Sequence, residues 1–327
     1  MPRESWKRGP LLAALALLLG LLMALHAELP SVGGIGSLVE NLLPWCGAFV
    51  PMLLAGALWR RSASAVVALV LPVTVWLSLF GGLLTDRSHP GGDLTVVSHN
   101  VDAGNPDPTG TARQLAASGA ELIALEELTD RARGTYEKGL AKAYPYHAVR
   151  GTVGLWSKLP LSDTRPVNVV RGDVGPLART KPAESAAEAA DGVRALRTTV
   201  ATAHGPLAVY VAHLGSVRVT GRDGFWTASR DFGADALAKA IAAEPHQRVV
   251  LLGDLNGTTD DRALHGLTSR LTSAQKTAGN GFGFTWPASF PIARIDQVLV
   301  RGVRARSSWV LPETGSDHLP VAARIGW

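Results

Sequence analysis

Three stretches without a charged side chain occupy most of the first 84 residues of the chain. They cover residues 11–27, 42–59 and 65–84, which are 17, 18 and 20 residues long. A helix needs about 20 apolar residues to cross the hydrocarbon core of a bilayer, and flanking polar side chains can extend to its surface. The pattern therefore predicts three transmembrane helices within a membrane anchor over residues 1–89.

The first stretch has an alternative interpretation as a cleaved signal peptide. Arg3, Lys7 and Arg8 form the basic segment that precedes the apolar region of such a peptide. The residues before Glu28 read Leu25-His26-Ala27, however, and lack the small residue expected three positions before a cleavage site. Two more apolar stretches follow, so the sequence favours three retained helices.

The charges in the connecting loops predict the orientation of the anchor. Arg60 and Arg61 lie between the second and third stretches, and a basic segment precedes the first. The loop between the first and second stretches contains Glu28 and Glu40 but no Lys or Arg. Because basic loops stay in the cytoplasm, the N-terminus is predicted to be cytoplasmic. Three crossings then place residues 90–327 outside the cytoplasmic membrane.

The composition excludes several classes of protein. Hydrophobic residues make up 46% of the chain and charged residues 18%, which excludes a disordered or fibrous chain. Residues 90–327 carry 26 Lys and Arg against 23 Asp and Glu, a net charge of +3, which gives a nuclease no obvious polyanion-binding face. The single cysteine, Cys46, excludes a disulfide within the chain and a zinc site built on cysteines.

Strand and helix patterns alternate after the anchor. Short apolar runs predict strands at residues 94–98, 122–125, 154–157, 197–200, 207–212, 249–252, 295–300 and 321–325, and helical spacing predicts helices at 111–118 and 230–243. This alternation predicts an α/β domain over residues 90–327. Residues 178–193 are rich in Ala and Glu without a strand pattern, which predicts a surface loop or a short exposed helix.

Polar side chains follow or interrupt the predicted strands, and they form the candidate site. They are Asn100, Glu126, Glu127, His213, Asp254, Asn256, Asp296, Asp317 and His318. Strand ends are where α/β sheets place ligand-binding side chains, because the loops there converge on one crevice. Carboxylate and amide oxygens suit Mg²⁺, Mn²⁺ or Ca²⁺ rather than zinc. A hard cation beside a His–Asp pair suits hydrolysis of a phosphate ester.

Seven short blocks in this order resemble those of the endonuclease/exonuclease/phosphatase superfamily. The blocks are Ser98-His99-Asn100-Val101, Ala124-Leu125-Glu126-Glu127-Leu128, Gly154-Leu155-Trp156-Ser157-Lys158-Leu159-Pro160-Leu161, Ala212-His213-Leu214, Gly253-Asp254-Leu255-Asn256, Arg294-Ile295-Asp296-Gln297-Val298-Leu299 and Ser316-Asp317-His318-Leu319-Pro320-Val321. The resemblance covers about residues 93–327. It implies a four-layer α/β sandwich, with two β-sheets flanked by helices, preceded here by the three predicted transmembrane helices.

The resemblance also implies a role for each candidate residue. Metal binding falls to Glu127 and Asn100, with Asp317 on the opposite side. Asp254 and Asn256 position the water and the phosphate. The base or transition-state stabiliser is His318, oriented by Asp296, whereas His213 donates to the phosphate. Family members usually have Gln where this chain has Glu126, which leaves open which of the two adjacent carboxylates binds the metal.

The substrate follows less directly from the sequence. A short linker holds the domain near the bilayer, where tethering raises the effective concentration of a lipid substrate. The layout resembles membrane-anchored, extracytoplasmic members of the superfamily in actinobacteria that confer teicoplanin resistance. That resemblance implies hydrolysis of undecaprenyl pyrophosphate, the lipid carrier of cell-wall synthesis. An extracytoplasmic nuclease, a phospholipase or sphingomyelinase-type phosphodiesterase, and a non-catalytic binding module are the alternatives.

Overall fold

The computed structural model describes residue 6 and residues 8–30, 32–170, 193–221 and 224–327. The chain forms two units. The first contains residues 1–85 and 219–226, and the second contains residues 86–218 and 227–327. The predicted loop or helix at residues 178–193 lies outside the described residues, except for Val193.

The first unit is mainly helical. Its α-helices are α1 (Pro10–Ala24), α2 (Ile35–Leu42), α3 (Phe49–Trp59), α4 (Ala63–Ala68) and α5 (Val70–Phe80). Short turns of 3₁₀-helix continue these elements into two long helical runs, Val32–Trp59 and Ala63–Leu84. Both runs are long and apolar enough to cross a membrane, whereas α1 has only 15 residues. Two of the three predicted spans therefore meet the length requirement, and the first falls short of it.

Small and capping residues shape the helical part of this unit. Ser62 begins α4, and its hydroxyl accepts a hydrogen bond from the Ala65 amide at 3.2 Å. A Cβ at Gly20 in α1 would lie 2.6 Å from Cγ of Leu71 in α5. Only glycine allows α1 and α5 to approach this closely, as is common between packed apolar helices.

The second unit contains two six-stranded mixed sheets. Its strands are β1 (Leu94–Asn100), β2 (Leu122–Glu126), β3 (Tyr146–Arg150), β4 (Val153–Ser157), β5 (Leu161–Pro166), β6 (Ala195–Thr202), β7 (Gly205–His213), β10 (Val249–Asp254), β11 (Thr272–Ser273), β12 (Asp296–Arg301), β13 (Arg304–Val310) and β14 (Val321–Gly326). The intervening β8 (Arg218–Thr220) and β9 (Gly224–Trp226) form a separate two-stranded sheet. The first large sheet has the order β13-β14-β1-β2-β4-β3, and the second has the order β11-β12-β10-β7-β6-β5.

Helices cover the outer faces of both sheets. They are α6 (Pro108–Ala117), α7 (Asp130–Leu140), α8 (Ala228–Ala242), α9 (His265–Thr268) and α10 (Ala274–Ala278). Residues of α6 and α7 pack on the first sheet, and residues of α8 pack on the second. A third core fills the space between the sheets, where alternate strand residues such as Val96, Val211 and Leu252 are fully buried. The second unit is thus an α/β sandwich of four layers.

Strand pairing aligns the polar strand ends. β1 and β2 are parallel and bring Asn100 opposite Glu126. In the second sheet β7 and β10 are parallel and bring His213 opposite Asp254, which in turn lies opposite Asp296 of the antiparallel β12. The two sheets therefore present their polar strand ends at the same level of the sandwich.

Candidate active site

Three candidate residues form one row across the second sheet. Asp296, Asp254 and His213 are direct neighbours on β12, β10 and β7. Side chains alternate along a strand, and Leu252, two residues before Asp254, lies in the core between the sheets. The row therefore projects into the space between the sheets, where all three side chains are buried.

Asp296 and His318 form a buried ion pair within this space. Nδ1 of His318 lies 2.9 Å from Oδ2 and 3.2 Å from Oδ1 of Asp296. Burial alone would lower the pKa of His318, but the charge and hydrogen bond of Asp296 raise it to about 10. Burial alone would raise the pKa of Asp296, but His318 holds it below its ordinary value. His318 is therefore protonated at neutral pH, and its Nε2 is free to act on a ligand.

Asp254 lies among other charged groups, and its pKa is raised, whereas that of Asp296 is lowered. Its Oδ2 is 3.9 Å from Nε2 of His318 and 3.8 Å from Nε2 of His213. Burial raises the pKa of the Asp254 carboxyl to about 7, because burial and the Asp296 charge together outweigh the attraction of His318. A carboxyl group with this pKa can accept a proton near neutral pH.

Asn100 connects the two sheets at the site. Its Nδ2 donates to Oε1 of Glu127 at 3.0 Å and to Oδ2 of Asp254 at 3.0 Å. Oε2 of Glu127 accepts a hydrogen bond from the Ala103 amide at 3.1 Å. Burial alone would raise the pKa of Glu127, but His213 and these two hydrogen bonds hold it below its ordinary value. Glu127 is therefore ionised and faces the same cavity as Asp254.

The backbone distinguishes Glu127 from Glu126. Glu127 has a left-handed φ of 58°, which turns its side chain towards the site, whereas Glu126 continues β2 into the core. Glu126 accepts a hydrogen bond from Ser98 Oγ at 2.9 Å, and burial raises its pKa well above the ordinary value. Glu126 is therefore a buried acid within the core, and Glu127 is the carboxylate available to a cation.

His213 is a neutral imidazole. Its Nε2 lies 3.5 Å from Oε1 of Glu127, and neither ring nitrogen has a hydrogen-bond partner among the described residues. Burial lowers the pKa of His213 to about 4 despite the charge of Glu127. The fold places two carboxylates, Glu127 and Asp254, near this histidine.

The loop after β10 holds Asn256 in a constrained conformation. Asn256 has a φ of 49°, its amide donates to Oδ1 of Asp254 at 2.9 Å, and its Nδ2 donates to the carbonyl of Leu214 at 3.0 Å. Nη1 of Arg230 donates to the Asn256 carbonyl at 3.2 Å and to Oδ2 of Asp261 at 2.6 Å. Arg230 was not predicted as a site residue, and its hydrogen bond to the Asn256 carbonyl holds this loop in position.

Asp317 lies at the exposed edge of the site rather than in its interior. Its side chain is 58% exposed, Oδ1 is 3.9 Å from Nε2 of His318, and Oδ2 accepts a hydrogen bond from Nε1 of Trp286 at 3.3 Å. Asp102, which sequence analysis also missed, faces this edge. Burial raises the pKa of Asp102, and the charges of Asp317 and Glu127 raise it further.

The donor set fits a divalent cation. Ligand atoms of Asp254, Asp296 and His318 lie within 4.8 Å of one another. Protonated His318, however, is a poor metal ligand, and both carboxylate oxygens of Asp296 contact Nδ1 of His318. The carboxylates of Glu127 and, at the edge, Asp317 are therefore the better oxygen ligands, with Asp254 beside them. Among the described residues no Lys or Arg pairs with these three acids, so a hard cation such as Mg²⁺ would balance their charge.

Comparisons with known proteins agree with this fold. Residues 97–318 match the model of the Endonuclease/Exonuclease/phosphatase family. None of the curated proteins matches the sequence.

Solved structures show the same fold. A humanized TDP2 of D. rerio has 17% identity and a TM-score of 0.56, covering 72% of this chain and 99% of that one. Sphingomyelinase C from Streptomyces griseocarneus has 19% identity and a TM-score of 0.51, covering 71% and 98%. A mannosyl-6-phosphatase of Bacteroides thetaiotaomicron has 13% identity and a TM-score of 0.54, covering 72% and 100%.

Proposed function

The chain belongs to the endonuclease/exonuclease/phosphatase family, and from this premise we propose that it is a membrane-anchored, divalent-cation-dependent phosphoesterase. We propose that its substrate is a lipid pyrophosphate such as undecaprenyl pyrophosphate, hydrolysed outside the cytoplasmic membrane. One observation carries the chemical part of this proposal. A proton acceptor, Asp254, and a protonated histidine, His318, lie 3.9 Å apart among carboxylates that pair with no described Lys or Arg.

The side chains divide the reaction between them. Asp254 accepts a proton from the water that attacks phosphorus, and Asn256 holds the Asp254 carboxylate in place through its amide. Protonated His318, oriented by Asp296, stabilises the negative charge that develops on the phosphoryl oxygens. His213 is neutral and donates one hydrogen bond to the phosphate.

A cation completes the charge balance of the site. When bound, Mg²⁺ neutralises phosphoryl oxygens and polarises the phosphorus. Glu127 and Asp317 would hold it beside Asp254, with Asn100 keeping the carboxylates of Glu127 and Asp254 together through two hydrogen bonds of 3.0 Å. With undecaprenyl pyrophosphate, water adds to the terminal phosphorus, the bridging P–O bond breaks, and inorganic phosphate and undecaprenyl phosphate leave.

Features outside the reaction centre support a lipid substrate. The two long apolar runs and the shorter helix α1 support an anchor of three transmembrane helices, and the loop charges support an extracytoplasmic second unit. Trp286 and Phe290, which are 39% and 70% exposed, give an apolar edge beside Asp317. The layout also resembles that of the teicoplanin-resistance protein VanJ, which supports a role in cell-wall lipid recycling and antibiotic resistance.

A diester substrate is the second candidate. The structural similarity to a sphingomyelinase C favours a phospholipid or sphingolipid diester, because the same water attack cleaves either bond. A nuclease is less favoured, since residues 90–327 carry a net charge of only +3. A binding module without activity is disfavoured because an acceptor and a donor of protons are both in place.

Substrate cleavage by the full-length protein in detergent tests the proposal. Undecaprenyl pyrophosphate, sphingomyelin and plasmid DNA are compared with Mg²⁺ or Mn²⁺ present, by release of inorganic phosphate, release of phosphocholine and strand cleavage, respectively. We expect release from the pyrophosphate alone, abolished in His318→Ala and retained in His204→Ala, a matched variant at an exposed histidine. Cleavage of sphingomyelin or DNA instead would show that the substrate is not a lipid pyrophosphate. Inactivity on all three would favour the binding module.

Orientation has a separate test. Alkaline phosphatase folds to its active form only outside the cytoplasm, so a C-terminal fusion to residue 327 is expected to be active in intact cells. A fusion after residue 62, between the second and third apolar stretches, is expected to be inactive. The reverse pattern would place the second unit in the cytoplasm and remove the extracytoplasmic substrate.

A further inference from the structure

The polar row on the second sheet has a fourth member, Arg194. β6 and β7 are antiparallel with Ala195 opposite Ala212, so the next pair outward is Arg194 and His213. The His213 amide donates to the Arg194 carbonyl at 2.8 Å, which fixes this pairing. The row across the sheet is therefore Asp296, Asp254, His213 and Arg194.

Strand alternation sets the direction of the Arg194 side chain. Leu196, two residues further along β6, is fully buried in the core between the sheets, as is its cross-strand partner Val211. Residues two apart on a strand share a face, so Arg194 and His213 both project on the face that carries the site. Burial is the main cause of the low pKa of His213, and the positive charge of Arg194 contributes to it.

The backbone around Arg194 is fixed to the site from its other side as well. The Thr152 amide donates to the Val193 carbonyl at 3.1 Å, and the Leu128 amide donates to the Thr152 carbonyl at 2.9 Å. Leu128 directly follows Glu127. The backbone of Arg194 is thus held between the strand of His213 and the loop of Glu127. This fixes the position from which its side chain extends.

The guanidinium of Arg194 has no hydrogen bond or ion pair with any described residue, and its side chain is only partly exposed. Arg197, three residues along the same strand, is the contrast. It forms a two-point ion pair with Glu244 and a further bond to Asp163. Arginine presents paired N–H donors that match a phosphate group, and no described residue accepts a hydrogen bond from the Arg194 guanidinium.

We infer that Arg194 binds the phosphoryl group of the substrate that is not attacked, and so selects pyrophosphates over phosphate monoesters. This inference rests on the proposed function. Neighbouring strands lie about 4.8 Å apart, so Arg194 starts about 10 Å along the row from Asp254. A pyrophosphate would span this distance. Its attacked phosphoryl group would lie between Asp254 and His318, and its second phosphoryl group would lie beyond His213.

Two matched ligand pairs test Arg194. The first pair is farnesyl pyrophosphate and farnesyl monophosphate as substrates. The second is imidodiphosphate, a pyrophosphate analogue that is not hydrolysed, and inorganic phosphate, both as ligands measured by calorimetry in excess Mg²⁺. The variants are Arg194→Gln, Arg194→Lys, and the charge-matched control Arg304→Gln on the exposed edge strand β13.

We expect Arg194→Gln to raise the KM for farnesyl pyrophosphate and the Kd for imidodiphosphate about tenfold or more, as loss of a charge-assisted bond predicts. Values for farnesyl monophosphate and phosphate should stay within about twofold. Arg194→Lys should recover part of the loss because it retains the charge. Arg304→Gln should match the parent protein in all four measurements.

The outcomes separate this inference from the proposed function. If the parent protein cleaves neither farnesyl compound but Arg194→Gln still loses imidodiphosphate selectively, the substrate proposal fails and the second phosphate site stands. Equal binding of imidodiphosphate by the parent and Arg194→Gln would overturn the inference. An equal loss of both members of a pair would also overturn it, because Arg194 would then act on the attacked phosphate or on the fold.

Discussion

The second unit buries two clusters of charged side chains, and they differ in how completely those charges are paired. The paired cluster lies on β6, β7 and the end of α8 and consists of Arg197, Tyr210, Glu244 and His246. The site cluster lies at the strand ends and consists of Glu127, His213, Asp254, Asp296 and His318. Both are shielded from solvent, so burial alone does not distinguish structural charges from functional ones.

Every charge in the paired cluster has a partner. Glu244 accepts two bonds of 2.9 Å from Arg197, one of 2.8 Å from the Tyr210 hydroxyl and one of 2.7 Å from His246. Burial alone would raise the pKa of Glu244, but the hydrogen bonds from Arg197 and His246 hold it far below its ordinary value. This cluster gains its full stabilisation without any ligand.

The site cluster lacks that balance. Asp254 has its pKa raised to about 7, and both nitrogens of His213 lack a partner among the described residues. A buried polar group that lacks a partner costs free energy, and the fold keeps it because a ligand supplies the missing interaction. The comparison predicts that changes in the two clusters have opposite consequences for activity and stability.

The largest expected effect is on activity, at Asp254. Asp254→Asn removes the proton acceptor but retains the shape of the side chain, so kcat should fall about 10³-fold. The apparent melting temperature without metal should stay equal or rise, because the change removes a charge beside Asp296. Phosphate release and thermal unfolding in detergent check both parts. A lower melting temperature together with normal activity would contradict the assignment of Asp254.

Glu244→Gln should show the reverse pattern. The change removes the buried carboxylate that forms two hydrogen bonds with Arg197 and leaves it only the more exposed Asp163, which should cost about 3 kcal/mol of unfolding free energy. Below the new melting temperature, kcat/KM should remain close to that of the parent protein, since no site residue bonds to Glu244. A comparable loss of activity in fully folded protein would show that the two clusters are coupled.

Arg230 combines a feature of each cluster, since it is buried in an ion pair and also contacts the site loop. It is buried and paired with Asp261, but it also donates to the Asn256 carbonyl in the site loop. Arg230→Lys should lower kcat about tenfold with little change in KM, because it displaces a positioning loop rather than a binding group. Arg301→Lys is the control, since Arg301 also donates to backbone carbonyls but lies away from the site. Equal losses in the two variants would indicate a general effect on folding.

The smallest expected effect is a pH dependence of opposite sign in the two clusters. Between about pH 4 and 7 folded Asp254 holds a proton that the unfolded chain has released, so its contribution to stability falls as pH rises. Glu244 has a folded pKa below its unfolded one, so its contribution is complete above about pH 4.3 and is lost as pH falls through the folded value.

Melting temperatures in EDTA from pH 7 to pH 5 measure the Asp254 contribution. The parent protein should gain stability relative to Asp254→Asn over this interval, by about 2 kcal/mol. Added Mg²⁺ should reduce the difference because the cation stabilises the ionised carboxylate. An unchanged difference between pH 7 and pH 5 would contradict the raised pKa of Asp254.

The sequence predicted the parts of the fold that depend on apolar patterns. All eight strands predicted from apolar runs lie at observed strands, because central strands of a sandwich bury both faces. The edge strands β3, β5 and β13 were missed, since their side chains are largely exposed and carry no apolar run. Helix α7 was missed because only Tyr136 and Leu140 in it are buried.

The candidate site shows a similar division. Polar residues that end apolar strands were identifiable because their position in the strand is visible in the sequence. Arg230, which bonds to an aspartate 31 residues away, was not identifiable, because its role depends on how α8 packs beneath the loop. The choice between Glu126 and Glu127 likewise required the backbone, since the left-handed conformation of Glu127 decides which carboxylate faces the site.

If the incompletely paired cluster is the reaction centre of a cation-dependent phosphoesterase, phosphate release from undecaprenyl pyrophosphate requires both Mg²⁺ and Asp254. The decisive measurement compares the parent protein, Asp254→Asn and Glu244→Gln in Mg²⁺ and in EDTA, in one assay below the lowest melting temperature. We expect release by the parent protein and Glu244→Gln in Mg²⁺, and no detectable release in EDTA or by Asp254→Asn. Equal release in EDTA, or by Asp254→Asn, would rule out this role for the cluster.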